Sequence, residues 1–326
     1  MTDSPCTLDL VVLSGNANRP LADAVCSHLD VSLGDALVSR FPDGEINVRV
    51  DENVRGADVF IVQPTCCPQN DTLMELLLLI DSVERASAHR VTAVIPYYGY
   101  ARKDRKDEGR VPIAAKMVAN MLVTAGADRV LTMDLHAPQI QGFFDIPVDH
   151  LYAHPVLTRH IKAMGLTDVV CASPDIGSMK RAVGYANALG VRVASCHKER
   201  LGPDRVEINA VVGDVRDKNV LMFDDLIASG GSLAAASRAL KEGGAKDIYV
   251  YATHAVMCGN AFQTLQDAPI KKLVVTDTIP IPKDKLTPKF EVVSVAGFLA
   301  DAIRRIHLNM SVSYLFRDDN NQSGEN

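Results

Sequence analysis

The segment from Phe223 to Ser232 combines two adjacent carboxylates with a short turn of small residues. It reads FDDLIASGGS, and the helical pattern LAAASRALK follows it. Glycine lets a backbone approach a ligand closely, and the N–H groups that begin a helix attract anions. Asp224 and Asp225 can accept hydrogen bonds from sugar hydroxyls. The pattern fits a phosphorylated sugar, although a helix capped by Ser229 and favoured by the nearby aspartates explains the same residues.

Two further groups of polar residues follow runs that have the pattern of strands. Asp134 and His136 come after RVLTM, and Asp175 comes after VVCAS. Open α/β sheets bind ligands at the carboxyl ends of their strands, so these positions suit a bound ligand. Carboxylate oxygens can hold Mg²⁺ directly or through water. A hydrogen-bonded packing histidine and a turn-forming aspartate are the structural alternatives.

Cationic side chains are concentrated in three charged segments. Lys198 and Arg200 follow the run VRVAS, and an extended backbone would place both on one side, where they could meet a phosphate-rich substrate. RFPDGE at residues 40–45 and RKDRK at residues 102–106 are the other two segments. Solvated surface charge is the alternative interpretation of all three.

Short β-branched runs alternate with helical patterns along the chain, which indicates parallel sheets with crossover helices. The runs are VFIVQ at 59–63, VTAVIP at 91–96, RVLTM at 129–133, VVCAS at 169–173, VLMF at 220–223 and IYVYA at 248–252. Ile113, Met117 and Met121 recur at helical spacing, with Pro112 at the predicted start of the helix and Gly126 at its end.

A faint internal repeat indicates that the chain holds two related units. GADRV at residues 126–130 precedes a strand pattern ending at His136, and GAKDI at residues 244–248 precedes one ending at His254. The spacing of other shared blocks differs between the halves, so the first half is expected to carry an insertion. The charged segment at residues 97–110 is the candidate.

Composition argues against several classes of protein. The chain has 326 residues, of which 47% are hydrophobic, so two domains with sizeable cores are expected. A net charge of −6 and the absence of Trp argue against nucleic-acid binding. No membrane helix or targeting segment is recognised, so a cytoplasmic protein with no membrane partner is expected. The seven cysteines are scattered without a CxxC pair and are interpreted as reduced packing residues.

Taken together and in order, the motifs resemble the ribose-phosphate diphosphokinases, also called phosphoribosyl-pyrophosphate synthetases. The motifs are RFPDGE, NDTLMELLLLID, YYGYARKDRK, MDLHAPQIQGFFDIPVDHLYA, SPDIGSMKR, HKER, GDV, FDDLIASGGS and SVSYLF. The resemblance implies an α/β fold of two tandem type I phosphoribosyltransferase-like domains, each a mainly parallel sheet flanked by helices. The expected parts are residues 1–151 with the ATP loops, residues 152–316 with the ribose 5-phosphate loop, and a disordered tail at 317–326.

The resemblance also implies an activity. ATP and ribose 5-phosphate would give AMP and 5-phosphoribosyl 1-diphosphate, a precursor of purines, pyrimidines, histidine and NAD, with Mg²⁺ as cofactor. The 1-hydroxyl of the sugar would attack the β-phosphorus of ATP without a strong general base, and closure of segment 97–110 would exclude water. The resemblance further implies that copies of this chain assemble from dimers, frequently into hexamers.

Site roles are carried over by position. The residues that resemble ATP ligands are Asp43, Gly44 and Glu45, from a neighbouring subunit, with Arg102, Lys103 and His136. Those that resemble ribose 5-phosphate ligands are Arg200, Asp224, Asp225, Ala228, Ser229, Gly230, Gly231 and Ser232. The catalytic candidates are Lys198, Arg200 and His136, and the metal candidates are His136, Asp175 and Asp134. Ser311 and Ser313 resemble positions at the family's allosteric site.

Some positions depart from the commonest family pattern. Lys103 stands where glutamine is usual, Ser178 replaces a glycine, and Ala228 replaces an aspartate. Ser229 and Ser232 replace threonines and keep the hydroxyl donors, whereas Ala228 removes a carboxylate.

Two rival functions share these features. A catalytically inactive regulatory subunit would keep the fold, but retention of the polar and charged motif residues argues against it. A phosphoribosyltransferase that consumes the diphosphate product would share the acidic pair and glycine loop. That class normally needs a single such domain, whereas ATP-type loops occupy a second one here.

Overall fold

A computed structural model describes residues 8–175, 177–200 and 206–316, with the backbone alone for residues 198–200 and 206–209. The strands are β1 Leu10–Ser14, β2 Ala36–Arg40, β3 Ile46–Val50, β4 Asp58–Val62, β5 Arg90–Ile95, β6 Arg129–Met133, β7 Val148–Leu151, β8 Val169–Ser173, β9 Arg192–Arg200, β10 Val206–Val212, β11 Asn219–Ile227, β12 Asp247–Ala255, β13 Lys272–Thr276 and β14 Phe290–Val293. The α-helices are α1 Arg19–Leu29, α2 Gln69–Arg85, α3 Ala114–Ala125, α4 His154–Ala163, α5 Met179–Leu189, α6 Gly231–Glu242, α7 Ala261–Gln266 and α8 Ala296–His307. Short 3-10 helices cover Pro138–Phe143, Lys283–Lys285 and Val312–Phe316.

The chain divides into two compact units. The first contains residues up to 152 together with those from 295 onward, and the second contains residues 153–294. The predicted boundaries assigned residues 295–316 to the second domain. In the structure α8 packs on α1, and the Arg304 guanidinium donates to the His28 carbonyl at 2.6 Å. The apolar face of α8 finds its partner in the first unit, a long-range pairing that sequence spacing does not reveal. The predicted disordered tail lies outside the described residues.

The first unit is built on a five-stranded parallel sheet in the order β1-β4-β5-β6-β7. Every residue of β4 is buried, as expected for a parallel strand covered on both faces. Strands β2 and β3 pair with each other as a separate antiparallel hairpin. The carboxyl ends of the five parallel strands share one edge, where Ser14, Val62 and Met133 end their strands.

The second unit contains a seven-stranded sheet in the order β10-β9-β8-β11-β12-β13-β14. All neighbouring strands are parallel except β10, which runs antiparallel to β9. Its core is apolar, and Phe223 is stacked against Tyr185 with ring centroids 3.8 Å apart. The predicted α/β class, with mainly parallel sheets flanked by helices, is confirmed.

The predicted strands all occur, and α3 forms where the recurrence of Ile113, Met117 and Met121 predicted a helix. Ala115, Val118 and Leu122 face the core, whereas Met117 is 53% exposed. The helix begins at Ala114, after the predicted Pro112 start. Alanines at three of the buried positions allow close packing, and Met121 is partly buried against the same core. Within the described residues, no helix is both long enough and apolar enough to cross a bilayer.

The two echoed glycine segments occupy equivalent places. Gly126 has φ +111° and ends α3 ahead of β6, and Gly244 has φ +93° and lies between α6 and β12. Both conformations favour glycine, which is why the sequence repeats it there. The duplication itself stays a prediction.

Candidate functional site

The turn between β11 and α6 forms a tight glycine-dependent loop. Gly230 has φ +74°, and a Cβ there would lie 2.8 Å from Leu265 Cγ. Both the backbone conformation and the neighbouring leucine therefore require glycine. Gly230 is the residue that precedes α6, and no side chain caps the helix from this position. The alternative in which Ser229 caps the helix is wrong, because Ser229 lies one residue earlier with its side chain exposed.

The same loop is fastened to the end of the neighbouring strand. The Met257 and Cys258 amides donate to the carbonyls of Ile227 and Ala228, each at 2.9 Å. Since β11 pairs with β12 directly upstream, the loop continues the sheet beyond its edge. The first turn of α6 is thus held at the carboxyl edge of the sheet, a position suited to a phosphate group.

Asp224 and Asp225 lie next to this loop in a polar cluster. The Asp225 amide donates to Asp224 Oδ1 at 3.0 Å, and Arg181 Nη1 lies 3.7 Å from Asp225 Oδ1. Burial, followed by the charge of Asp225, raises the pKa of Asp224 to about 7, and Arg181 acts in the opposite direction. Each carboxylate can accept hydrogen bonds from a ligand hydroxyl.

Asp175 joins the same cluster through Ser178. The Ser178 amide donates to Asp175 Oδ1 at 3.0 Å, and its hydroxyl donates to Asp224 Oδ1 at 3.3 Å. Burial, followed by the negative charge of Asp175, raises the pKa of the Cys196 thiol to about 11. The sequence showed Ser178 only as a departure from the glycine of the family pattern, and it indicated no partner for Arg181. Their place at the start of α5, directly after a strand, was the signal that could have found them.

The sequence indicated that Lys198 and Arg200 follow a strand. In the structure both residues lie within β9. The strand continues to Arg200 because it pairs with β10, where Lys198 is opposite Ile208 and Arg200 is opposite Val206. Their side chains lie outside the described part of the chain.

In the first unit, His136 lies beyond the carboxyl end of β6 in an open cavity of about 340 Å³. Arg102 and Arg105 line the same cavity, together with Asp104 and Asp107. Gln139 donates to Asp104 at 2.7 Å, which links segment 97–110 to the 3-10 helix after β6. The cavity thus combines two guanidinium groups, an exposed imidazole and two carboxylates.

Lys103 and Asp134 lie near this cavity but do not line it. The Lys103 ammonium pairs with Asp107 at 3.0 Å. Asp134 has φ +39°, and its amide donates to the Leu151 carbonyl at 2.9 Å. Burial and then the charge of Asp134 raise the pKa of Tyr152. Of the sequence candidates in this unit, the cavity therefore brings together Arg102 and His136.

Segment 97–110 contains no helix or strand but is fixed at its beginning. The Gly99 amide donates to Thr65 Oγ1 at 2.7 Å, and a Cβ at Gly99 would lie 2.3 Å from the Thr65 carbonyl oxygen. The Tyr98 hydroxyl donates to the Ala115 carbonyl at 3.0 Å. The charged part of the segment, from Arg102 to Arg110, is largely exposed.

Asp43, Gly44 and Glu45 form the exposed tip of the β2–β3 hairpin. Gly44 has φ +96°, and the Glu45 amide donates to Asp43 Oδ1 at 3.1 Å. The tip is therefore a defined turn at the exposed end of a hairpin that is a separate element of the first unit.

Ser311 and Ser313 lie at the end of the first unit, after α8. Both are exposed, and Arg305 Nη1 donates to the Ser311 carbonyl at 3.2 Å. The Arg305 guanidinium also lies 4.5 Å from the Tyr314 ring centroid. Their regulatory role stays a prediction.

Oxygen ligands for a metal are present, although they are dispersed. Among the described residues, no group of three or more His, Cys, Asp or Glu side chains is arranged to hold a metal ion. Mg²⁺ commonly takes one or two protein carboxylates and completes its shell with water and substrate phosphates. Asp134 and Asp175 fit that donor chemistry individually, and the His136 imidazole fits it less well.

The second unit has an acidic pair and a glycine loop at the carboxyl edge of its sheet, and the first unit has an arginine-lined cavity. Both features are typical of α/β enzymes that act on phosphate esters. Residues 10–126 match the model of the N-terminal domain of ribose phosphate pyrophosphokinase, and residues 204–317 match that of the phosphoribosyl synthetase-associated domain. A ribose-phosphate pyrophosphokinase from Rhodopirellula baltica is 53% identical over 95% of this chain and 99% of its own. One from Caldanaerobacter subterraneus is 50% identical over 95% of this chain and 98% of its own.

A solved structure agrees with these relatives. The phosphoribosylpyrophosphate synthetase from Mycobacterium smegmatis is 44% identical, with a TM-score of 0.87, covering 92% of this chain and 99% of that one. The chain belongs to the ribose-phosphate pyrophosphokinase family.

Proposed function

We propose that this chain transfers the diphosphate of ATP to the 1-hydroxyl of ribose 5-phosphate, giving AMP and 5-phosphoribosyl 1-diphosphate. The proposal rests on ribose-phosphate pyrophosphokinases that align with nearly the whole chain, one of them 53% identical. The intact glycine loop beside the acidic pair supports it further. The chain is a transferase in this assignment.

The second unit supplies the groups for ribose 5-phosphate. The phosphate binds to the loop from Ala228 to Ser232, where the amides of the first turn of α6 and the serine hydroxyls donate to it. Asp224 and Asp225 accept hydrogen bonds from the ribose hydroxyls. Ala228 has no carboxylate, so only Asp224 and Asp225 supply carboxylate oxygens to the ribose hydroxyls.

The first unit supplies the groups for ATP. Arg102 and His136 share the charged cavity, and Lys103 lies beside it on the same segment. Guanidinium groups are suited to phosphate oxygens because they donate in a planar fork. Asp43, Gly44 and Glu45, at the exposed hairpin tip, bind the adenine of an ATP that belongs to a neighbouring subunit.

Charge stabilisation carries the reaction in this proposal. The sugar 1-hydroxyl attacks the β-phosphorus in line, and the bond from that phosphorus to the oxygen of AMP breaks. Lys198 and Arg200 donate to the phosphoryl oxygens as negative charge builds there, and each well-placed donor of this kind contributes about 3–4 kcal/mol. Closure of segment 97–110 over the cavity would exclude water and so suppress hydrolysis of ATP.

Mg²⁺ is the proposed cofactor. Asp134, Asp175 and His136 would hold it, directly or through water, together with the substrate phosphates. When bound, it supplies neutralisation of phosphate charge and fixes the orientation of the polyphosphate.

Assembly, location and control complete the proposal. We place the chain in the cytoplasm as a dimer and hexamer of itself, with Ser311 and Ser313 at a regulatory site. Assembly also completes the proposed ATP site, because the hairpin tip binds adenine in a neighbouring subunit.

Formation of AMP from ATP and ribose 5-phosphate by the purified chain tests the proposed function. We expect AMP in equal amount to the sugar diphosphate, with no nucleobase present. Absence of activity would favour the regulatory-subunit alternative, and release of diphosphate only after a nucleobase is added would favour the phosphoribosyltransferase alternative.

A further inference from the structure

The β2–β3 hairpin depends on side-chain contacts for its position. It is a two-stranded sheet of its own, separate from the five-stranded sheet of the first unit. Two-stranded hairpins are marginally stable by themselves in water, so an orientation useful for binding must come from contacts with the rest of the unit. Packing of the hairpin on α2 supplies part of it, but an apolar contact is non-directional.

The first directional contact is an ion pair between the hairpin and α2. Arg40, the last residue of β2, places Nη2 2.6 Å from Asp71 Oδ2 in the first turn of α2. The same guanidinium donates from Nη1 to the Gly44 carbonyl at 3.1 Å. One side chain therefore links the tip of the hairpin to the start of the helix.

The second directional contact starts from a buried carboxylate. Glu75, on α2, is only 6% exposed, and its oxygens accept from the Asn16 amide at 2.9 Å, Asn16 Nδ2 at 3.0 Å and Gln63 Nε2 at 2.7 Å. Asn16 Nδ2 also donates to the Val38 carbonyl of β2 at 3.1 Å. The buried network thus reaches the hairpin through the side chain of Asn16.

The network centres on the side chain of Gln63. Its amide is fully buried, and its Oε1 accepts from the Ala17 amide at 3.2 Å while its Nε2 donates to the Thr72 carbonyl at 3.2 Å. A Cβ at Gly15 would lie 2.6 Å from the Gln63 amide group, so glycine is required for this packing. A satisfied buried polar network of this kind fixes one arrangement of its members.

Asp71 and Glu75 lie one turn apart on the same side of α2, so both contacts act from one face of the helix. We infer that Arg40 and Asn16, held by Asp71 and Glu75, are positioning residues that set the orientation of the hairpin and so the affinity for ATP. The inference rests on the proposed role of the hairpin tip in binding adenine. None of these four side chains is assigned contact with the substrate.

A double-mutant cycle on the exposed ion pair is the experiment. The variants are Arg40→Ala, Asp71→Ala and the double variant, assayed for KM of ATP, KM of ribose 5-phosphate and kcat. We expect each single variant to raise KM for ATP about tenfold, with KM for ribose 5-phosphate within about twofold, because a small misplacement of a binding group has large effects. The double variant should resemble Arg40→Ala, because Asp71→Ala adds no further loss once Arg40, which also donates to Gly44, is removed.

Arg49→Ala is the matched control. Arg49 lies on the other strand of the same hairpin, and its partner Asp51, at 2.8 Å, is local rather than on α2. Loss of this arginine should leave KM for ATP within about twofold, although the change of charge is the same. Equal effects of Arg40→Ala and Arg49→Ala would overturn the inference and indicate a general electrostatic effect.

Glu75→Gln and Asn16→Ala extend the test to the buried network, with amide hydrogen exchange of the hairpin as a second readout. Faster exchange at the tip, together with a raised KM for ATP, is expected. Should these buried variants fail to fold, the ion-pair cycle decides alone, because both its side chains are substantially exposed.

Glu45→Ala separates this inference from the proposed function. A raised KM for ATP in Glu45→Ala with normal values in the ion-pair variants would overturn the positioning role and leave the role of the tip intact. A normal KM for ATP in Glu45→Ala would overturn the role assigned to the tip, and the inference with it, while AMP formation would still test the reaction.

Discussion

The loop at the end of β11 and the residues of the first unit that are proposed to bind ATP are held by different means. The first is bonded by its backbone to the end of β12 and requires glycine at position 230. The second is distributed over a hairpin tip and an irregular segment, fixed by side-chain contacts such as Arg40 to Asp71 and Gln139 to Asp104. The first region is part of a sheet edge in the second unit, whereas the second region is held by side-chain contacts within the first unit.

This difference predicts different responses to substitution. A change in the β11 loop must disturb packing and binding together, because the same atoms serve both. A change on the ATP side removes an exposed contact and should alter nucleotide affinity with little loss of stability, since exposed ion pairs contribute little to folding. The predictions below use this contrast, beginning with the largest expected effect.

Lys198→Ala tests the proposed charge stabilisation of the phosphoryl oxygens during the reaction. We expect kcat to fall by about 10²–10³-fold, because one well-placed donor to a developing charge has that effect. Tm should stay within about 2 °C of the parent. Lys285→Ala, which removes an exposed lysine paired with Asp284, is the control for charge and should retain full turnover. Near-normal turnover in Lys198→Ala would remove this residue from the mechanism.

Gly230→Ala and Gly44→Ala compare the two regions directly. Both glycines have positive φ, but a Cβ at Gly230 meets Leu265 whereas one at Gly44 meets nothing within 4 Å. We expect Gly230→Ala to lower the free energy of unfolding by about 2–4 kcal/mol and to weaken ribose 5-phosphate binding. Gly44→Ala should cost about 1 kcal/mol. Chemical denaturation measures both, and equal losses would contradict the contrast.

Asp224→Asn tests how much the buried acidic pair lowers the free energy of unfolding. Burial raises the pKa of Asp224 to about 7, so the folded state favours the neutral carboxyl. Its contribution to stability is therefore fully present below about pH 4 and is lost as the pH rises through 7. At pH 8 we expect Asp224→Asn to be more stable than the parent by on the order of 1–3 kcal/mol, with weaker ribose 5-phosphate binding.

The pH dependence is the decisive part of that prediction. The gain in stability should shrink towards zero as the pH falls to about 4, because both chains then carry a neutral group at this position. Urea unfolding at a series of pH values measures it. A gain that is the same at pH 4 and pH 8 would show that titration of Asp224 is not its source.

Arg102→Ala tests the ATP side with the smallest expected effect. Arg102 lines the charged cavity with His136, so its loss should raise KM for ATP about tenfold, with KM for ribose 5-phosphate and Tm unchanged. Arg55→Ala is a control at an exposed arginine outside the cavity. A matching rise in KM for ribose 5-phosphate would indicate that the two substrate regions are not separate.

The sequence predicted the elements with strong local signals. Six β-branched runs occur as strands, and the turn after β11 was recognised from its glycines. It did not predict contacts over long distances in the chain. The packing of α8 on α1, the extension of β9 to Arg200 by pairing with β10, and the Ser178 bridge between Asp175 and Asp224 all depend on partners that local patterns do not specify.

The candidate site shows the same limit. The turn at Gly230 was predictable because its φ of +74° favours glycine, a residue type that the sequence shows directly. The contact between Asn16 and Glu75 requires no such distinctive residue type. The methionine spacing predicted α3 as a helix but not its buried face, since Met117 is 53% exposed while Ala115 and Leu122 are buried. Residue type thus reveals backbone constraints better than it reveals the partners of polar side chains.

The fate of the phosphate groups of ATP tests the central claim most directly. Purified chain would be incubated with ribose 5-phosphate and ATP labelled separately at the α, β or γ position, and the products would be separated. The account predicts that the β and γ labels move together to the sugar and that the α label stays in AMP. Movement of the γ label alone, with formation of ADP, would contradict attack at the β-phosphorus.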